Sequence, residues 1–293
     1  MMGPEYASRI FRPHRLSPLV VGVWVMLGAV GVRGGVVERN LGVEDIFGVA
    51  GMDSVLALER GTPVGARVGG WARRYRDSGR TEYLFGLADG GYAAEGLLVP
   101  GLRQDCISLL YRVTELARAD SARDAVDMAL AVRFAGADPD SLIDADGRVD
   151  YDRPEHLDFS LDMIRSGHWG RDVTAELTGA RPDTVGSSRY PAGSFVTVPA
   201  EALVTGELRE GDLAWLVLDP ADAKARDLRD RYGLVIGHVG IVIVENGEAV
   251  LVHAASRPLP GWYDHDGVVS VPLAVYLERV ERYGAVMVTR LAD

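Results

Sequence analysis

The chain has 293 residues, 47% of them hydrophobic and 25% charged; that is enough length and apolar content for one large domain or two modest ones, and it excludes disorder as the default state. The net charge of −11 argues against nucleic acid as a partner, because phosphate recognition needs clustered Lys and Arg. One cysteine, Cys106, excludes internal disulfides and any zinc site built from several cysteines.

At the N-terminus, Arg9, Arg12 and Arg15 precede an uncharged apolar stretch at 19–32, with small residues Ala29 and Gly31 near its end. A basic segment followed by a short apolar one has the form of a secretory signal. The stretch is short for a bilayer span, which needs about 20 residues. Residues 1–33 are therefore expected to be a signal peptide or a membrane anchor with an N-terminal membrane contact. The chain is accordingly expected to be exported to the periplasm or cell envelope, with residues 34–293 forming a single domain.

Beyond this segment the two halves differ in texture. Residues 42–180 read mostly as helix and 194–293 mostly as strand. Residues 71–76 fall in a basic helical stretch. Ile107, Leu110, Val113, Leu116 and Ala117 recur at helical spacing, so a helix opens at Cys106. Further helical segments are expected at 122–134, stopped near Gly136, at 156–165, and as a single turn at 172–177. Asp138-Pro139 and Asp146-Gly147 mark turns. Short β-branched runs predict strands at 195–198, 213–218, 239–244, 249–252, 268–271 and 285–291. Asn246-Gly247, between the third and fourth runs, predicts a tight hairpin because both residues tolerate positive φ. Pro272 opens a helix expected to reach Tyr283. Helices first and an antiparallel sheet second define an α+β class. No glycine-rich phosphate-binding motif is present.

The chemistry concentrates at three residues. Asp105 can cap the helix that Cys106 begins, and the partial positive charge of a helix N-terminus favours a thiolate. His238 opens a strand, with Gly240 two residues on to admit a close neighbour. His253 ends the next strand, so both histidines fall near the open end of one hairpin. A nucleophile, a base and an orienting group would result. The plain alternative is a packed core cysteine and two structural histidines. A metal site from His238, His253 and Asp212 is a further alternative, without the spacing that puts two ligands on one helix face.

At these residues the chain resembles the NlpC-type papain-like superfamily of bacterial cell-wall amidases and endopeptidases. The matching pieces are Tyr92 in a Gly-Gly-Tyr, Asp105-Cys106, Gly211-Asp212, His238-Val239-Gly240-Ile241 and His253-Ala254-Ala255-Ser256. The resemblance implies a papain-like fold, Cys106 and His238 as the catalytic pair, His253 as the group orienting His238, and Tyr92 in the oxyanion hole. One branch is nearest, associated with N-acetylmuramoyl-L-alanine amidase activity and once known only as a domain of unknown function. Its segments read here Arg153-Pro154-Glu155-His156, Asp172-Val173-Thr174-Ala175-Glu176-Leu177 and Val288-Thr289-Arg290-Leu291. The implied substrate and partner is peptidoglycan or muropeptides, cut through a thioester without a cofactor.

Arg153 and His156, in the insert between nucleophile and base, are candidates to bind substrate carboxylates; the alternative for Arg153 is an ion pair with Asp150 or Asp152. Asp212 reads as a turn residue. Trp262-Tyr263, with His265 nearby, either lines a sugar site or packs on the sheet, and His168-Trp169 carries no assigned role. Other readings of the whole chain are an endopeptidase cutting after γ-D-glutamate in the stem peptide, a non-catalytic wall-binding module, and an acyltransferase on the same fold.

Overall fold

Helical spacing dominates the first half of the chain and the structure follows it. The computed structural model describes residues 32–134, 136–157 and 161–292, so residues 1–31 of the expected signal or anchor lie outside the described residues. Helices α1 (Val32–Leu41), α2 (Val49–Leu58) and α3 (Val64–Asp77) come first. Two very short strands, β1 (Glu82–Tyr83) and β2 (Arg103–Gln104), pair in parallel. They lead into α4 (Cys106–Arg118) and α5 (Ala122–Arg133). Among the described residues, no helix is long and apolar enough to cross a membrane.

A short helix, α6 (Leu161–Ser166), precedes the peripheral strands β3 (Arg171–Asp172), β4 (Arg181–Pro182) and β5 (Val196–Pro199). The main strands are β6 (Leu213–Leu218), β7 (Ile236–Glu245), β8 (Glu248–Ala255), β9 (Gly267–Pro272) and β10 (Tyr283–Arg290). The sheet runs β4-β5-β10-β6-β7-β8-β9, with β3 also paired to β10, and its pairings are antiparallel. Helix α7 (Ala223–Tyr232) follows β6, and α8 (Leu273–Arg279) follows β9. The architecture is α+β, as expected.

Alternation along the strands builds two layers. Leu213, Trp215, Val239, Ile241 and Ile243 pack with Trp71 and Tyr75 of α3 and Leu109, Leu110 and Val113 of α4. Ala214, Leu216, Val242 and Leu251 face the other way, toward Leu273, Tyr276 and Leu277 of α8. Every residue of β6 is buried as a result. Asn246 and Gly247 have φ of 53° and 81°, the tight hairpin turn their sequence predicts, and they set the register Ile241↔Val252.

Gly240 holds this register at close quarters. A Cβ there would lie 2.6 Å from Leu251 Cδ1 and 2.8 Å from the Val252 carbonyl oxygen. Gly240→Ala is therefore expected to destabilise the protein by about 1–3 kcal/mol, as overpacking does, read as a lowered urea midpoint. An unchanged midpoint would mean that β8 yields freely.

Three expectations need correction. The helix after Pro272 ends at Arg279, not near Tyr283, because Tyr283 is taken into β10 opposite Leu218. The helix expected at 156–165 is confined, among the described residues, to Leu161–Ser166, and His156 instead bridges Phe134. Helix α7 stands in the half read as strands: Asp222 caps it by accepting the Ala225 N–H at 2.8 Å, and Gly233 closes it with φ of 69°.

Candidate active site

Cys106 is the first residue of α4, and its position is fixed by a capping box. Asp105 Oδ1 accepts the Ser108 N–H at 2.7 Å, and Ser108 Oγ accepts the Asp105 N–H at 2.8 Å. Asp105 Oδ2 accepts the Gly86 N–H at 2.7 Å, tying the helix start to the segment after β1. The pairing Tyr83↔Gln104 sets Tyr83 beside the residue two before the cysteine. Cys106 itself is half-buried, and the Val239 backbone N–H is directed at its sulfur.

Val239 follows His238, so β7 places His238 one residue from the N–H that meets the Cys106 sulfur. His238 stands opposite Leu216 and His253 opposite Val269. The β7–β8 register makes the two histidines diagonal neighbours on one sheet face, where long side chains meet. His238 Nε2 lies 2.9 Å from His253 Nδ1, with the ring planes at 89°. The pair is 9% and 1% exposed, respectively. Tyr276 and Tyr283 stack on His238 at 6.0 and 6.1 Å, and Tyr276 also meets the His253 ring edge-on at 4.8 Å. Tyr83, Tyr276 and Tyr283 lie close enough to Cys106 that its thiolate, were it formed, would raise their phenols.

The electrostatics correct one expectation. Burial, then the Asp105 carboxylate, pushes the Cys106 thiol up, against the backbone N–H groups of Val239, Cys106 and Ile107. Burial, then Arg282, pulls His238 down to about 4, while burial and its neighbour His238 pull His253 well below the usual range. These directions favour a neutral thiol and neutral imidazoles over a preformed thiolate. A helix N-terminus contributes roughly 0.3–1 kcal/mol, and desolvation of a charged group outweighs that.

The remaining candidates are placed as follows. Tyr92 is buried against Tyr151 at 5.3 Å and Tyr111 at 6.4 Å, and fills the space a Gly86 side chain would need. The electrostatic neighbours of its phenol are Asp105, Tyr111, Tyr151 and Arg133, whereas the upstream phenol coupled to Cys106 is that of Tyr83. Sequence reasoning missed Tyr83; its signal was an aromatic, β-prone run just before Gly86. Arg153 pairs with Glu155 at 3.2 Å, not with Asp150 or Asp152. His156 packs in the insert's aromatic cluster, 5.0 Å from Tyr151 and 5.2 Å from Phe134. Through Tyr151, that cluster abuts Tyr92 rather than the histidines.

Asp212 is fully buried and closes the turn before β6, its N–H donating to the Arg209 carbonyl at 3.1 Å, and its carboxylate also holds Arg290 of β10 at 2.6 and 2.7 Å. It lies four strand positions from Leu216, roughly 13 Å from the level of His238 at the usual strand rise. The three-ligand metal alternative is therefore not assembled. Trp169 is buried beside Tyr111 at 5.5 Å and is structural. Trp262 is exposed, His265 meets Asp264 at 3.1 Å, and Tyr263 turns inward to His253.

No known family profile matches the chain. Isoleucine–tRNA ligase of Chromohalobacter salexigens is 34% identical over 205 residues, 64% of this chain and 20% of that protein. The chain thus spans about a fifth of the length of that curated relative. Among solved structures, the protein LPG0564 of Legionella pneumophila, described under the family DUF1460, superposes with a TM-score of 0.57 at 13% identity, over 84% of this chain and 94% of that one. An N-acetylmuramoyl-L-alanine amidase of Bacteroides uniformis superposes at 0.54 and 19% identity, over 78% and 99%. A proposed xylanase of Bacteroides fragilis gives 0.53 at 18%, over 76% and 99%. These likenesses establish the shared α+β fold, and the two different activities named among them show that the fold alone does not select one.

Proposed function

We propose that the chain is a cysteine amidase that hydrolyses the bond between N-acetylmuramic acid and L-alanine in peptidoglycan or its fragments. The observation that carries this reading is a cysteine at a capped helix start, next to the strand on which His238 is locked to His253 at 2.9 Å. The amidase among the structural neighbours supports the substrate class, and the sequence resemblance to the NlpC-type superfamily supports the mechanism. Residues 1–33 belong to the proposal as the signal or anchor that delivers the enzyme to the cell envelope.

In this mechanism the Cys106 thiol attacks the amide carbonyl as its proton passes to His238 Nδ1. The Nε2–H of His238 stays on His253 throughout. His238 then gives the proton to the leaving amine, and water, deprotonated by His238, hydrolyses the thioester. The backbone N–H of Cys106 and the phenol of Tyr83, in place of Tyr92, receive the oxyanion. Arg153 and His156 remain candidates for the stem peptide, His156 from within the aromatic cluster and Arg153 from its pair with Glu155. No cofactor enters the scheme.

Mass spectrometry of defined muropeptides after incubation with the purified protein tests it. Release of peptide headed by free L-alanine is the expected result. A cut after γ-D-glutamate would make the protein an endopeptidase. Acyl transfer to an added amine would make it a transferase, and binding without cleavage a wall-binding module. Tyr83→Phe should lower kcat about 10²-fold, the worth of one oxyanion donor, with Tyr92→Phe near wild type. The reverse pattern would return the oxyanion role to Tyr92.

The pH profile follows from the same groups. His238 must be neutral to accept the proton, and its pKa is lowered to about 4. The thiol must carry its proton at the start, and its pKa is raised above the usual 9.0. Initial rates should therefore give a broad kcat/KM plateau, falling on the acid side only as pH approaches about 4. An acid limb near the ordinary histidine value of 6.5 would contradict this assignment of the base.

A further inference from the structure

We infer that Tyr263 is a positioning residue for this site: its hydroxyl, 3.4 Å from His253 Nε2, holds His253 in the tautomer that leaves His238 Nδ1 free to take the Cys106 proton. The inference rests on the cysteine-amidase reading. Each neutral imidazole carries one N–H, so two linked imidazoles have two proton arrangements. In one, His238 Nε2–H donates to His253 Nδ1, His253 keeps its hydrogen on Nε2, and His238 Nδ1 is bare. In the other, His253 Nδ1–H donates to His238 Nε2, and His238 Nδ1 already carries a hydrogen. Only the first can accept a proton from the thiol.

The surroundings favour the first arrangement. In it His238 Nε2–H donates to His253 Nδ1 and His253 Nε2–H donates to the Tyr263 oxygen, so each imidazole N–H has an acceptor, and the phenol hydrogen is left to solvent. In the second, the Tyr263 hydroxyl donates to the bare His253 Nε2, but the buried His238 Nδ1–H has no acceptor among the described residues, which is costly. His253 is buried, so an Nε2–H without an acceptor would be costly, and Tyr263 supplies that acceptor. The contact is long, as catalytic contacts often are before substrate binds. The other groups around the pair are otherwise placed: Tyr283 donates its hydroxyl to the Gly237 carbonyl at 3.3 Å, Tyr276 packs its ring on both imidazoles, and Arg282 acts on His238.

The loop carrying Tyr263 is built to hold it. Leu259 and Tyr263 exchange backbone hydrogen bonds at 3.0 and 3.1 Å, and Gly261 turns between them with φ of 85°. The half-buried phenol therefore comes from a closed turn rather than an open loop.

Nitrogen NMR of histidine-labelled protein and steady-state kinetics test the inference together. Wild type should show His238 and His253 both protonated on Nε2. Tyr263→Phe should bring in the other tautomer and lower kcat about tenfold, the worth of one buried hydrogen bond, with KM unchanged. With His253→Gln, whose amide oxygen accepts without a tautomer choice, adding Tyr263→Phe should change nothing further. His253 protonated on Nδ1 in wild type would overturn the inference. So would a raised KM with kcat kept, or an equal loss in both backgrounds. A wild type that cleaves no muropeptide would defeat the amidase reading instead, and the NMR would still decide the tautomer.

Discussion

Cys106→Ala is expected to abolish hydrolysis, with kcat falling by on the order of 10⁴–10⁶-fold. His238→Ala should cost nearly as much, and the double variant hardly more than either, because nucleophile and base act as a unit. The reason lies in the charge state of the site. With the thiol pushed up and the imidazole pulled down, sulfur has no preformed negative charge to fall back on when its base is removed. Kinetics on a muropeptide, with circular dichroism to confirm folding, would check this. A His238→Ala variant that keeps a tenth of the wild-type rate would show that the thiol ionises without it, and would sink the general-base scheme.

The largest stability effect is expected behind α4, the helix that Cys106 opens. Arg133 of α5 and Glu115 of α4 form a fork at 2.8 and 2.8 Å, with both side chains 1% exposed. Arg133 also donates to the Tyr151 hydroxyl at 3.0 Å and sits 4.3 Å over the Tyr111 ring. Glu115→Ala would strand the guanidinium without a counter-charge, and a loss of about 3–5 kcal/mol is expected. Replacing both partners by methionine should cost much less, because no buried charge is then left over. Urea denaturation of the single and double variants checks the contrast. Equal losses in both would mean that packing, rather than the stranded charge, carries the effect. Since Tyr151 joins this pair to Tyr92 and His156, the same variants should loosen the insert that holds Arg153.

Some of this architecture is legible residue by residue because its causes are local. Asn246-Gly247 turns the hairpin since both positions accept positive φ. Asp105 starts α4 since its carboxylate caps an N–H three residues on. The β-branched runs mark β6 to β10 within a few residues, and the order of helices and strands already defines an α+β chain. Even the meeting of His238 and His253 follows from counting back from one turn. Helix α7 was legible too, in Asp222 and Gly233, but its polar composition hides the periodicity that usually announces a helix.

What only tertiary structure decided depends on residues far apart in the chain. Tyr83 reaches the site through a parallel pairing with Gln104, across a connection that no local pattern announces. Tyr283 leaves its expected helix because β10 and the ring of His238 claim it. Arg153 turns to Glu155, and Asp212 to Arg290, through choices of partner that composition leaves open. The charge state of Cys106 is the sharpest case. The helix start that favours a thiolate is visible in sequence, but the burial that overrides it exists only once α4 is packed against β7, because desolvation is set by the whole surrounding volume and not by neighbours along the chain.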